Sequence, residues 1–307
     1  MYASNISHFI FSIILGSTLV MHSYAQIPVR IISHNIRYAT TSPFKGEKPW
    51  NERRQLLLNE LQYNTLHNPE ALICLQEVLH EQLVDIMTGL NRTGEEWASI
   101  GVGRDDGKTK GEYSPIIYRS RSWEVVNWRT VWLSETPDRP GKGWDAASIR
   151  IVTIGHFKHK GSGNRIVGMC THLDDQGSKS REESAKQILN LIQSETSAKS
   201  GSSDRLPVFL AGDLNSEPSG KAYQLLNGSS SGVQDVKDLA SWHYGDRTTF
   251  TGFQETNQRT EIDHVFVGPR NGGAWTVKGY SVLPNKFEDG VYNSDHEAVV
   301  GDVVLIG

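Results

Sequence analysis

The sequence predicts an α/β sandwich rather than a plain parallel sheet. Two observations carry this: runs with strand character outnumber the helical ones, and the helices are interspersed among them. A third is that no internal repeat and no long linker interrupts the chain after residue 26, so the remainder reads as one domain of residues 26–307.

The elements follow in order. Val29–Ser33 is a β-rich run that delivers Asn35 to its end. Glu52–Leu61 places Leu57, Leu58 and Leu61 at helical spacing. Ala71–Leu75 is a buried-strand candidate ending at Gln76 and Glu77, and Leu79–Leu90 again reads helical. Arg104–Gly111 is a polar loop. Tyr113–Tyr118 and Trp123–Trp128 read as strands flanking a turn at 119–122. Arg150–Phe157 and Arg165–Thr171 form a strand pair around the turn at 160–163. Ser180–Glu195 is amphipathic, with Ala185, Ile188, Leu189 and Ile192 on one face, and 197–204 is a loop. Leu206–Ala211, Glu261–Val267 and Ala298–Ile306 complete the strands.

The first 25 residues stand apart. Phe9 to Val20 is almost wholly apolar, and no Lys, Arg, Asp or Glu occurs before Arg30. The run is short for a bilayer span and ends in the small-x-small pattern Ser23–Ala25, so a signal peptide cut after Ala25, and a secreted protein, is expected. The alternative is an uncleaved anchor. No later segment is long and apolar enough to cross a membrane.

Composition narrows the function. The net charge of −4 gives no global attraction to nucleic acid, whose binding rests on Lys and Arg neutralising phosphates. Only Cys74 and Cys170 occur, too few for a disulfide framework, so the fold must rest on its core. Both read as small buried hydrophobes, with a single disulfide left open. Asn91–Thr93 and Asn227–Ser229 are glycosylation sequons if the host is eukaryotic.

Polar residues recur where apolar strands stop: Asn35, Glu77, His172, Asp213, Asn215, Asp263, Asp295 and His296. Strand ends are rigid positions for a shared site. Carboxylate and amide oxygens are hard ligands, suited to Mg²⁺ with Mn²⁺ as the alternative. A lone strand-end Asp is usually a turn residue, and a lone His is usually structural. The joint pattern is what points to a site. No Gly-x-Ser-x-Gly elbow or glycine-rich nucleotide loop is present, which disfavours acyl hydrolases and kinases.

Seven fragments appear in order: Ser33–Arg37 (SHNIR), Leu75–Val78 (LQEV), Gly111–Ile116 (GEYSPI), Thr171–Asp174 (THLD), Gly212–Asn215 (GDLN), Ile262–His264 (IDH) and Ser294–His296 (SDH). Their succession resembles the motifs of the endonuclease/exonuclease/phosphatase superfamily. Trp132–Pro137 and Gly143–Ala147 further resemble a little-characterised secreted and bacterial branch of it. The resemblance implies a deoxyribonuclease I-like fold, two β-sheets flanked by helices in four α/β/β/α layers. It implies a metal held by Glu77, Asn35 and Asp295. It makes His296 the general base with Asp263 orienting it, or Asp213 the base in its place. Asp213 and Asn215 position the attacking water and phosphate. His172 contacts the phosphate or protonates the leaving oxygen, and Glu112 holds that histidine.

Arg150 is a candidate phosphate contact beside a structural reading, and Trp132 and Trp144 are core or cleft residues. Leu79–Glu81 replaces the basic loop of pancreatic-type deoxyribonucleases, which counts against minor-groove DNA binding, and His264 stands where an aromatic is usual. The expected function is metal-dependent hydrolysis of a phosphodiester or phosphomonoester by in-line water attack. The substrate is nucleic acid or a small phosphate ester, and the enzyme a monomer without an obligate protein partner. A catalytically silent binding protein and a sphingomyelinase-like lipid phosphodiesterase are the alternatives.

Overall fold

The computed structural model describes residues 26–94, 96–197, 205–255 and 259–306. The signal-peptide expectation for residues 1–25, and most of the loop expected at 197–204, lie outside the described residues. In chain order the elements are β1 (Ile27–Asn35), α1 (Trp50–Thr65), β2 (Leu72–Gln76), α2 (His80–Leu90), β3 (Trp97–Ile100), β4 (Ile116–Arg119) and β5 (Trp123–Trp132). Then come β6 (Ile151–His159), β7 (Arg165–His172), α3 (Ser178–Thr196), β8 (Val208–Asp213), α4 (Lys221–Asn227), β9 (Gln234–Asp235) and α5 (Val236–Leu239). The last are β10 (Trp242–Gly245), β11 (Asp263–Gly268), β12 (Trp275–Leu283) and β13 (Ala298–Leu305).

The strands form two mixed sheets. One has seven strands in the order β10-β12-β13-β1-β2-β4-β3, the other six in the order β5-β6-β7-β8-β11-β9. Side chains that alternate inward from both sheets make the central core, including Ile31, Cys74, Phe157, Cys170, Phe209 and Val265. Both cysteines are buried there and unbonded. The outer face of the seven-stranded sheet packs Ile32, Ile73 and Val300 against Leu57, Leu61 and Ile86 of α1 and α2. The outer face of the six-stranded sheet packs Val167, Met169 and Leu210 against Ile188 and Ile192 of α3 and Leu226 of α4. The result is the four-layer α/β/β/α sandwich that the resemblance implied. Each fully buried large side chain contributes about 1.5–3 kcal/mol.

β3, β9, β10, β12, α4 and α5 add to the expected elements. The turn at 119–122 passes the chain from one sheet to the other, so β4 and β5 do not pair with each other. Strand direction also corrects a detail. Asp263 opens β11, and Asp295 and His296 precede β13; none of the three ends a strand. They still reach the common end because β11 runs antiparallel to β8, and β13 antiparallel to β1.

Candidate active site

Both sheets contribute to one end of the sandwich. On the six-stranded sheet, His172, Asp213 and Asp263 lie side by side across three adjacent strands: His172 pairs in register with Asp213, and Asp213 with Asp263. From the seven-stranded side come Asn35 at the end of β1, Glu77 just past β2, and Asp295 and His296 before β13. Two hydrogen bonds join the sets. Asn35 Nδ2 donates to Asp213 Oδ2 at 3.0 Å, and His296 Nδ1 lies 2.8 Å from Asp263 Oδ2. The eight polar residues singled out in the sequence all lie at this end of the sandwich.

Backbone strain marks two of them. Glu77 and Asn215 have φ of 60° and 46°, in the left-handed region that favours glycine. Holding a non-glycine residue there costs of order 1–3 kcal/mol and persists where the side chain is needed. Glu77 spends the turn on returning its carboxylate over β1: Oε1 accepts from Asn35 Nδ2 at 3.1 Å, and Oε2 from the Tyr38 amide at 3.1 Å. Asn215 spends it on reaching His172 Nε2 at 3.1 Å and donating to the Leu173 carbonyl at 3.0 Å.

The electrostatics are uneven. Burial, then Asp263, pushes the Asp213 carboxyl up to about 7. Burial, together with Glu77, pushes Asp295 up to about 6. Burial alone would lower His296, but Asp263, Asp213 and Asp295 overcome it and raise the imidazole to about 10. His172 goes the other way: burial, then Arg150, Arg104 and His296, hold it well below the usual histidine range.

Two groupings bear on a divalent cation. Asp213, Asp263 and His296 offer ligand atoms within 4.8 Å of one another. In that trio His296 Nδ1 is already engaged by Asp263 Oδ2 at 2.8 Å, so that nitrogen is not free as a ligand. Glu77 and Asp295 fit better, as hard oxygens whose mutual charge contributes to raising the Asp295 carboxyl and which a cation would relieve. Asn35 turns its amide nitrogen towards the Glu77 and Asp213 carboxylates. Its Oδ1 accepts the Arg37 amide at 3.0 Å, an obligate donor, so the amide cannot flip, and Nδ2 is what faces the carboxylates. As placed, Asn35 orients Glu77 and Asp213.

One further expectation changes. Glu112 does not hydrogen-bond His172, since Oε2 is 3.9 Å from Nδ1. The Arg104 guanidinium takes both Glu112 oxygens at 2.7 Å, because a bidentate fork matches a carboxylate better than a single imidazole nitrogen does. Arg150 Nε lies 3.3 Å from Asp174 and Nη2 2.8 Å from Asp175, while its buried Nη1 has no partner among the described residues. Trp132 is buried, with Nε1 donating to the Arg104 carbonyl. Trp144 is half-buried.

Several working residues carried no sequence signal. Thr249 Oγ1 donates to Asp263 Oδ2 at 2.6 Å, and Asn285 Nδ2 to the His296 carbonyl at 2.9 Å. Phe250 sets its ring edge-on to His296 at 5.0 Å. Asp174, within a quoted motif, accepts from the amides of Ala147, Ser148 and Gly177 and so ties the loop before β6 to the start of α3.

Comparison with known proteins agrees with this geometry. The family model for the Endonuclease/Exonuclease/phosphatase family matches residues 32–296, from β1 to His296. The chain belongs to the endonuclease/exonuclease/phosphatase family. It is thus a phosphoesterase of a family whose enzymes depend on a divalent metal. A family member from Bacteroides thetaiotaomicron has 32% identity and a TM-score of 0.81, covering 92% of this chain and 97% of its own. The mannosyl-6-phosphatase of the same organism has 32% identity and a TM-score of 0.79, covering 90% and 100%. The 3'-5'-exoribonuclease subunit Ccr4 of the CCR4-Not complex of Debaryomyces hansenii is 25% identical over 253 residues, 74% of this chain. That match spans only 30% of the relative's length.

Proposed function

We propose that the protein is a Mg²⁺-dependent phosphomonoesterase that releases phosphate from a small alcohol by in-line attack of water, with no covalent intermediate. The supporting observation is the position of Asp213 Oδ2. It receives Asn35 Nδ2 at 3.0 Å and stands 3.4 Å from His172 Nε2 and 3.8 Å from His296 Nε2. A carboxylate so placed takes the proton of an attacking water. His296, held between Asp263 and Asp213, stays charged and receives the developing negative charge of the phosphoryl oxygens. This assigns the base role to Asp213, one of the two choices the family resemblance left open. Asn215 orients the phosphate together with a neutral His172. Mg²⁺ at Glu77 and Asp295 would supply Lewis-acid stabilisation of that same charge.

The phosphomonoester preference draws on the mannosyl-6-phosphatase likeness and on the net charge of −4. The nuclease reading draws on the exoribonuclease match, but that charge gives no general pull on a polyanion. The intact proton network argues against a silent binding protein. Export after cleavage at Ala25 and action as a monomer belong to the same proposal. Mature protein recovered outside the cell and beginning at Gln26, and its mass in solution, check those two points.

The decisive test is turnover on sugar phosphates, p-nitrophenyl phosphate, bis-p-nitrophenyl phosphate, DNA, RNA and sphingomyelin with Mg²⁺ or Mn²⁺. Monoesters should lead the series. Faster cleavage of DNA, RNA or sphingomyelin would overturn the assignment.

A further inference from the structure

Asn215 also lines a cavity of about 280 Å³ between the first turns of α3 and α4. Ser178, Arg181, Asn215, Glu217, Ser219 and Lys221 line it. Arg181 and Ser216 are held in place, while Ser178, Glu217, Ser219 and Lys221 stand exposed around the opening. Arg181 Nη1 donates to the Asp174 carbonyl at 2.7 Å, and the Ser216 carbonyl oxygen lies 3.3 Å from His264 Nε2. The turn into α4 closes tightly, because a Cβ on Gly220 would come within 2.3 Å of Ser216 Oγ.

The chemistry of the lining is mixed. Hydroxyls, an amide, two cations and one carboxylate share the surface, and no aromatic ring lies among the described lining residues. A nucleobase subsite uses a stacking ring. A second phosphate would suit Arg181 and Lys221, but Glu217 would repel it. A polyol, each of whose hydroxyls both donates and accepts, matches donors and acceptors interspersed on one wall.

We infer that this cavity is the subsite for the alcohol portion of the substrate, and that the alcohol is a polyol of hexose type, read by Glu217 and Lys221. The inference rests on the phosphomonoesterase reading above. In the reaction, water adds to phosphorus and gives a proton to Asp213, the P–O bond to the polyol breaks, and the polyol oxygen takes a proton from solvent water to leave as the free alcohol.

The test compares hexose 6-phosphates with p-nitrophenyl phosphate, whose aryl group makes no use of hydroxyl-reading residues. Wild type, Glu217→Gln and Lys221→Met are measured on both. Loss of a hydrogen bond to a charged group should raise KM for the hexose phosphate about 10- to 100-fold in at least one variant. The p-nitrophenyl phosphate constants should stay at wild-type values, which also shows that the variants fold. Equal shifts on both substrates, or none on either, would overturn the subsite. So would wild-type preference for a sugar bisphosphate that Glu217→Gln improves, since the pocket would then read an anion. Wild type inactive on every monoester would instead remove the phosphomonoesterase reading itself, and the subsite with it.

Discussion

His296 and His172 flank the same carboxylate, Asp213, and each has an acidic residue behind it, yet they carry opposite charge states. Behind His296, Asp263 lies at 2.8 Å, and the imidazole is raised to about 10 against the effect of burial. Behind His172, Glu112 lies at 3.9 Å and is captured by Arg104, and the ring is driven down by burial, Arg150 and Arg104. About one ångström of separation, and the question of which cation owns the carboxylate, turns one motif type into a fixed cation and a neutral hydrogen-bonding group. The lesson is that a histidine's partner must be read together with that partner's other contacts.

The comparison can be broken at several points. Chelation should act on both sides at once: EDTA should abolish phosphate release, and Mg²⁺ or Mn²⁺ should restore it. Activity that persists in EDTA would sink the metal-dependent mechanism. Asp263→Asn should next remove the main support of the charged imidazole, lowering kcat by about 10²- to 10⁴-fold. NMR titration of His296 should show its pKa falling. An unchanged titration would mean Asp263 is not what keeps the ring charged.

The pH profile sharpens the asymmetry. A base must be deprotonated to act, so kcat/KM should rise through about pH 7 as Asp213 loses its proton. It should fall again towards pH 10 as His296 loses its charge. A profile with its acid limb intact in Asp213→Asn would move the base elsewhere. The smallest effect is expected on the His172 side. Arg104→Gln removes a nearby positive charge and frees Glu112, and both changes favour protonated His172. Its NMR pKa should rise, with turnover altered less than about tenfold, below the usual range for loss of a general acid or base. Arg104→Lys should restore part of the original value, whereas an unmoved His172 pKa in Arg104→Gln would discard this account.

Much of this was legible in the sequence for identifiable reasons. β1, β2, β7 and β8 are apolar runs, and α3 shows a clear helical period, so their burial pattern is written in residue type. β12 is not: a bulge between Val277 and Gly279 shifts its inward positions from Val277 to Tyr280 and breaks the alternation. β3 has only four residues, too few for a period. The members of the site were legible because each sits in a short polar motif beside an apolar run. Their relations were not. Strand direction, the fixed Asn35 amide, the capture of Glu112 by Arg104 and the pairing of Arg150 with Asp174 and Asp175 all depend on atoms distant along the chain or on backbone direction. Residue type does not encode them.

The division of the site between two sheets makes the interior a spacer. Asn35 and His296 ride on one layer, Asp213 and Asp263 on the other, and what sets the gap between them is the bulk of Phe157, Phe209, Ile31 and their neighbours. Thinning that filling, as in Phe209→Ala, would cost about 3–5 kcal/mol. It would also let the two layers draw together or tilt. Slack of a few tenths of an ångström there passes directly into the 2.8 Å and 3.0 Å bonds that bridge the layers. Residues that never touch substrate thereby calibrate the chemistry, much as a shim sets the spacing of a jaw.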